Sequence, residues 1–148
     1  MAKIGIGVTS YNRPECLKEC LEHIHKHTFM DNVILYVATD TDEYRKGVAF
    51  RKNECLRALK DCDYVFLFDD DCFPIKDGWV DFFIKENLEH TLYLTHKYHN
   101  YIKTIDGVKV FKDCGGVFMF MDKNAIEKVG SFNEKFTPYG FELSLIHI

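Results

Sequence analysis

The chain has 148 residues, 47% of them hydrophobic, and a net charge of −4. That is enough for one domain with a substantial core and too apolar for a disordered segment. No apolar run approaches the roughly 20 residues that cross a bilayer. No basic stripe is visible, so nucleic acid is not an expected partner.

Met1-Ala2-Lys3 leads directly into Ile4-Gly5-Ile6-Gly7-Val8, a strand pattern without the architecture of a signal peptide. Asn12-Arg13-Pro14-Glu15 then opens a helix. Asn12 is the expected cap, Pro14 is tolerated in the first turn, and Glu15 stands at the capping-box position. Leu17, Leu21, Ile24 and Thr28 form its inward stripe. Val33 to Ala38 reads as a second strand ending at Asp40. A second helix is expected over Lys46 to Lys60, with Val48, Cys55, Leu56 and Leu59 in the core. Tyr64-Val65-Phe66-Leu67-Phe68 is a third, buried strand. The order β-α-β-α-β implies a mostly parallel sheet.

The pattern then changes. Trp79 to Glu86 reads as a short amphipathic helix and Leu92 to Leu94 as a strand. Ile102 to Ile105 and Val108 to Phe111 flank Asp106-Gly107, a strong hairpin signal. Gly115 to Met121 reads as another buried strand. Asp122 caps a short helix through Val129, and Gly130 stops it. The expectation is an α/β chain: a Rossmann-like nucleotide-binding half followed by a mixed β half.

The chain has six cysteines, none in a Cys-x-x-Cys pair, which fits free thiols in a reducing cytosol. Cys16, Cys20, His23 and His27 share one helical face. Four ligands strung along a straight helix span too great a length to close a tetrahedron around one zinc. They read as buried thiols beside partly exposed histidines.

Asp69-Asp70-Asp71 ends the third strand, at the sheet edge where open α/β sheets bind ligands. Alternation along an extended backbone lets Asp69 and Asp71 face one side and Asp70 the other. Two carboxylates there suit a hard divalent cation, manganese or magnesium, and with it a phosphate-bearing ligand. A solvated acidic turn that caps the next segment accounts equally well for these three residues alone.

Several segments, in this order, resemble the family-2 glycosyltransferases of the GT-A fold. They are Val8-Thr9-Ser10-Tyr11-Asn12-Arg13-Pro14, then Asp40, Gly47 to Asn53, Asp69-x-Asp71, and Gly115-Gly116-Val117-Phe118-Met119-Phe120. Val129 to Phe136 comes next, leading to Tyr139-Gly140-Phe141-Glu142. The resemblance implies a GT-A domain over residues 1–142 that takes a sugar from a nucleotide-sugar donor, a UDP-sugar, with a divalent cation and inversion. It implies that Thr9, Tyr11, Arg13, Asp40, Arg51, Lys52, Asn53 and Asp69 bind the nucleotide. Tyr11 would stack on uracil and Asp40 would accept its N3 proton. Lys52 separates Arg51 from Asn53 where the family has an Arg-Asn pair, so which cation approaches the nucleotide stays open. Asp71, with Asp69 beside it, would hold the metal. Gly115 and Gly116 would let the backbone approach the donor sugar, and Glu142 would be the general base.

The acceptor is a glycan, lipid or protein that the sequence does not identify. Leu143-Ser144-Leu145-Ile146-His147-Ile148 does not resemble the family. The expectation is a native chain cut at Glu142 with a non-native tail at 143–148, poor or inactive as a catalyst. The expected location is the cytoplasm, or a membrane periphery through parts this chain lacks. Two other readings remain open: a non-catalytic nucleotide-sugar binding fragment, and a phosphoryl-transfer or nuclease domain with a DxD on a Rossmann-like strand. Asp40 would be the second acid of the latter, but its phosphate loop is not seen.

Overall fold

The structure is a computed structural model that describes residues 1–85, 90–92, 101–105, 107–111 and 116–135. Its elements run β1 (Ile4–Tyr11), α1 (Pro14–His27), β2 (Val33–Asp40), α2 (Val48–Ala58), β3 (Tyr64–Asp69), α3 (Trp79–Lys85), β4 (His90–Leu92), β5 (Tyr101–Ile105), β6 (Val108–Phe111), β7 (Phe118–Asp122) and α4 (Lys123–Val129). Strands β2-β1-β3-β7-β4 form one sheet, and β5-β6 form a separate hairpin. β1 pairs in parallel with β2 and β3. β7 runs antiparallel to both β3 and β4, so β4 points the same way as the first three strands. The sheet is therefore mostly parallel. Among the described residues, the second half contributes the hairpin and the strands β7 and β4, which extend the first sheet from its β3 edge.

Residue parity along the central strands divides the core. Ile4, Ile6 and Val8 of β1, Phe66 and Phe68 of β3, and Phe118 and Phe120 of β7 pack with Cys20 and Ile24 of α1 and Trp79 and Val80 of α3. Val65, Leu67, Met119 and Met121 face the other way, against Ala49 and Cys55 of α2 and Ala125 of α4. Both faces of β3 are apolar, which is the pattern of a strand covered by helices on each side.

On β1, the odd positions facing α2 are Gly5 and Gly7. A Cβ on Gly7 would lie 2.7 Å from Leu67 Cδ2 and 2.8 Å from Cys55 Cβ. The missing side chain lets α2 sit directly on the sheet, which decides what that helix can bury.

Three local expectations change. Asn12 does not cap α1. It adopts φ 49°, and Arg13 takes the cap position without a side-chain cap bond. Asn tolerates the left-handed region, and the resulting turn moves the start of the helix one residue on, so Glu15 is no longer at the capping-box site. α2 is shorter than expected at both ends, starting after Gly47 at φ 94°. Its buried face carries Ala49, Lys52 and Asn53 beside Cys55, while Leu56 is only half-buried. The strand expected over Leu92 to Leu94 is described as His90–Leu92, and Tyr93 and Leu94 lie outside the described residues. Asp122 accepts from Ala125 N at 2.7 Å and Gly130 ends α4 at φ 83°, as the sequence pattern requires. Ile105 pairs with Val108 across the hairpin turn, which contains Gly107 at φ 84°.

The seating of α2 yields a direct test. Gly7→Ala forces a Cβ onto Cys55 Cβ, an atom that no rotamer change can move. The expected loss of unfolding free energy is about 1–3 kcal/mol, read from urea denaturation. An unchanged midpoint would show that the helix can back away at no cost.

Candidate functional site

The register brings one sheet edge together. Tyr11 pairs with Asp40, and Thr9 with Asp69, so β1, β2 and β3 end side by side. β7 runs the opposite way and begins at this edge, where Asp69 N donates to Val117 O at 2.8 Å. The edge therefore carries Thr9, Ser10, Tyr11, Asp40, the three acids and residues 116–117. Gly115 and Glu142 lie outside the described residues, as do Asp106, Cys114 and the tail 143–148.

The three acids are divided between the two helix layers. Asp69, an odd position on β3, faces α2. Its Oδ1 accepts from Thr9 Oγ1 at 3.0 Å and lies 3.3 Å from Lys52 Nζ. Asp70 faces the α1 side and is wholly buried. It accepts from Ser10 Oγ at 2.6 Å and from Arg13 Nη2. Asp71 also pairs with Arg13, through Nη1 at 2.9 Å. Strand alternation would have put Asp71 on the side of Asp69. It does not hold because the strand ends at Asp69 and the chain turns, with Cys72 N on Asp69 O at 3.0 Å. Burial raises the Asp70 carboxyl above its ordinary value, and the charges of Asp71 and Asp69 add to this, although Ser10 and Arg13 oppose it.

Asp40 is an anchor as well as an edge residue. It is 5% exposed. Its Oδ1 accepts from Lys46 N (2.9 Å) and Arg51 Nε (3.0 Å), and its Oδ2 from Gly47 N (2.7 Å). Burial alone would raise its carboxyl, but the two backbone N–H groups and the Arg51 guanidinium hold it below the ordinary value of 3.8. Arg51 continues to Glu54 Oε2 at 2.7 Å, and Tyr36 Oη donates to Glu54 Oε1 at 2.8 Å. Burial would raise the Glu54 carboxyl too, and Arg51 and Tyr36 bring it down.

Lys52 and Asn53 point inward. Lys52 Nζ donates to Gly116 O at 2.7 Å, and the residue is 1% exposed. Asn53 is committed to a later segment. Its Nδ2 donates to Phe132 O (2.9 Å) and Glu134 Oε1 (2.8 Å), and its Oδ1 accepts from Phe132 N (2.8 Å). Tyr11 Oη donates to Asp42 Oδ1 at 2.5 Å, and the Arg45 guanidinium lies 4.3 Å from the ring centroid.

Ser10, Asp42, Glu54 and Glu134 are the participants the sequence did not single out. Ser10 had a legible signal: it shares the parity of Asp70 and lies one residue beyond the Thr9–Asp69 pairing.

Among the described residues, no three His, Cys, Asp or Glu side chains gather into a preformed metal site. Cys16, Cys20, His23 and His27 do not converge. His23 stacks on Phe73 with ring centroids 4.2 Å apart, and His27 Nδ1 meets Asp77 Oδ1 at 2.7 Å. Burial pushes the Cys20 and Cys55 thiols up to about 12, so neither offers a thiolate near neutrality. Asp71, half-exposed, and Asp69 are hard oxygen donors. Hard donors of this kind suit magnesium or manganese, yet Arg13 pairs with Asp71 on the Asp70 side while Asp69 is held by Thr9 and Lys52.

No protein-family model matches the chain, and no curated protein matches it in sequence. Solved structures do match. A mannosyltransferase from Pyrobaculum calidifontis, in complex with GDP-Man and Mn2+, superposes with a TM-score of 0.66 at 12% identity, over 90% of this chain and 48% of that one. A mutant of Drosophila beta-1,4-galactosyltransferase 7, in complex with manganese, UDP-Gal and xylobiose, gives 0.61 at 16%, over 97% and 58%. TarS of S. aureus gives 0.56 at 15%, over 90% and 31%. The fold is that of the GT-A glycosyltransferases. The chain spans about a third to just under three fifths of these structures. Among the described residues, no helix is long and apolar enough to cross a membrane.

The site's internal bonding leads to two measurable outcomes. Because the folded Asp40 carboxyl releases its proton more readily than the unfolded one, its stabilisation is complete above the ordinary value of 3.8 and is lost as pH falls through the lower folded value. Asp40→Asn is expected to cost about 1–3 kcal/mol at pH 7. The gap to wild type should close as denaturation is repeated at pH values falling below 3.8. A gap that persists at the acid end would remove the charge from the explanation. For Asn53→Leu, amide exchange at Phe132 should accelerate more than at Met119 on β7, since only the former loses its acceptor. Uniform acceleration across both would count against a specific clamp.

Proposed function

We propose that this chain is the donor-binding part of a family-2-type GT-A glycosyltransferase that uses a UDP-sugar and a divalent cation. The observation that carries the reading is the gathering of Thr9, Tyr11, Asp40, Asp69, Asp71 and Gly116 at one sheet edge of a GT-A fold. The mannosyltransferase neighbour carries GDP-Man and Mn2+, and the galactosyltransferase neighbour carries manganese and UDP-Gal, which supports a metal-assisted nucleotide-sugar site here.

Each residue has a physical part in this reading. The Tyr11 ring, already packed against the Arg45 guanidinium, offers a flat face for a base. Asp40 Oδ1 meets Lys46 N and both Nε and Nη2 of Arg51, whereas Oδ2 accepts once, from Gly47 N. Oδ2 therefore keeps a lone pair for the N3 proton of uracil, an interaction that cytosine lacks. Thr9 and Asp69 form a joined polar pair beside the nucleotide sugar. Asp71, with Asp69 near it, would hold the cation in place of its present contact with Arg13. When bound, the cation supplies positive charge against the departing diphosphate. Gly115 and Gly116 let the backbone approach the donor sugar. Glu142 takes the proton from the acceptor hydroxyl as it attacks the anomeric carbon, with inversion.

Isothermal titration of the chain with UDP tests the reading. Binding is expected with manganese and not with a chelator. Asp71→Asn should remove the cation dependence and weaken binding at least about tenfold, the worth of one contact to a charged group. UDP should be preferred over CDP by about 1–3 kcal/mol, and Asp40→Asn should flatten that preference. Equal affinity with metal and with chelator would defeat the proposal. Cation-dependent binding without base preference would instead favour a phosphoryl-transfer site.

A further inference from the structure

We propose that Lys52 is a positioning residue that acts on the bound nucleotide only through Asp69 and the Gly116 carbonyl. The inference rests on the donor-site reading above and concerns a residue that the family resemblance groups with the nucleotide ligands.

Burial decides against direct contact. Lys52 is 1% exposed, whereas the Asp69 side chain is 24% exposed. A ligand arriving from solvent reaches the carboxylate, and the ammonium stays behind it. Nζ is already engaged, donating to Gly116 O at 2.7 Å and lying 3.3 Å from Asp69 Oδ1. Thr9 Oγ1 donates to the same Oδ1 at 3.0 Å. One oxygen of Asp69 is thus held from two directions, from β1 and from α2, which fixes the plane of the carboxylate.

The same ammonium ties two chain segments together. Asp69 N donates to Val117 O, so Gly116 and Asp69 are already neighbours. Lys52 bridges them from the α2 face and sets the spacing between the end of β3 and the approach to β7. A methionine would fill the same space without a buried charge to neutralise. What the lysine adds is a fixed direction for Asp69 and for the Gly116 carbonyl.

The test is a double-mutant cycle on UDP binding in manganese, measured by isothermal titration well below the lowest melting midpoint. The variants are Lys52→Met, Asp69→Asn and the two combined. Each single change is expected to weaken UDP about tenfold, and the combination should be no weaker than Asp69→Asn to within about twofold. With Asp69 neutralised, the lysine keeps only the Gly116 carbonyl, on the donor-sugar side that UDP, which carries no donor sugar, does not reach. Losses that multiply to about a hundredfold would make Lys52 an independent ligand and overturn the proposal. A folded Lys52→Met variant with wild-type affinity would reduce the residue to a support for the fold and overturn it too. Where Lys52→Met does not fold, Lys52→Gln keeps a donor for the Gly116 carbonyl and replaces it in the cycle, with the same results supporting or overturning the proposal. Failure of the wild-type chain to bind UDP would defeat the glycosyltransferase reading instead. The Lys52–Asp69 link is then judged by melting alone. A combined variant that melts above both singles supports it, and one that does not overturns it.

Discussion

Three consecutive carboxylates at the end of the central strand are the constraint around which this edge is built. Left alone they would repel one another, and Asp70, with no exposed surface, would be a buried charge without compensation. Strand alternation sends Asp69 and Asp70 to opposite faces, and each helix layer supplies one cation. Lys52 comes from α2 as a single buried ammonium. Arg13 comes from the start of α1 as a fork that spans Asp70 and Asp71 together. The choice of side chain suits each task, since only a guanidinium presents two parallel donors to two acids. Three acids against two cations leave one net negative charge when all are ionised.

That solution depends on how closely α2 approaches the sheet. Gly5 and Gly7 remove the side chains that would hold the helix away, and Cys55 fits into the space over Gly7. Lys52 and Asn53 then fall on the buried face of the same helix. One reaches the acid on β3. The other reaches across to Phe132 and Glu134, about eighty positions further along the chain. α2 thus registers early and late parts of the domain against each other, beside the β3–β7 pairing.

These dependencies explain what was legible in the sequence. The apolar run at Tyr64 to Phe68 announced a buried strand, and the acids after it marked that strand's carboxyl end. The capped helix from Asp122 to Gly130 was legible because its signals are local. The inward turn of Lys52 and Asn53 was not, because charged and amide side chains on a helix normally face water, and their partners at Gly116, Phe132 and Glu134 are remote in sequence. Asn12 misled because Asn serves equally as a helix cap and as a left-handed turn residue. Asp71 misled because parity holds only while the strand continues, and no local signal marked its end at Asp69.

The edge is also unequal in stiffness, and its physical chemistry reflects that. On the Asp40 side, a buried carboxylate, two backbone donors, Arg51, Glu54 and Tyr36 form one connected network. Water is largely excluded there, so a misplaced polar group has no alternative partner and the geometry is held tightly. On the Asp71 side, the Arg13 and Asp71 side chains are about half exposed, at 47% and 51%. A pair so open to solvent is screened and contributes little net stability. Exchanging that contact for another charged partner therefore costs little, whereas disturbing Asp40 would disturb the entry to α2 and, through α2, Lys52 and Asp69. In the proposed donor site, base selectivity would fall to the buried network and adaptability to the open pair. Both sit within one sheet edge because the same strand register that aligns Tyr11 with Asp40 aligns Thr9 with Asp69.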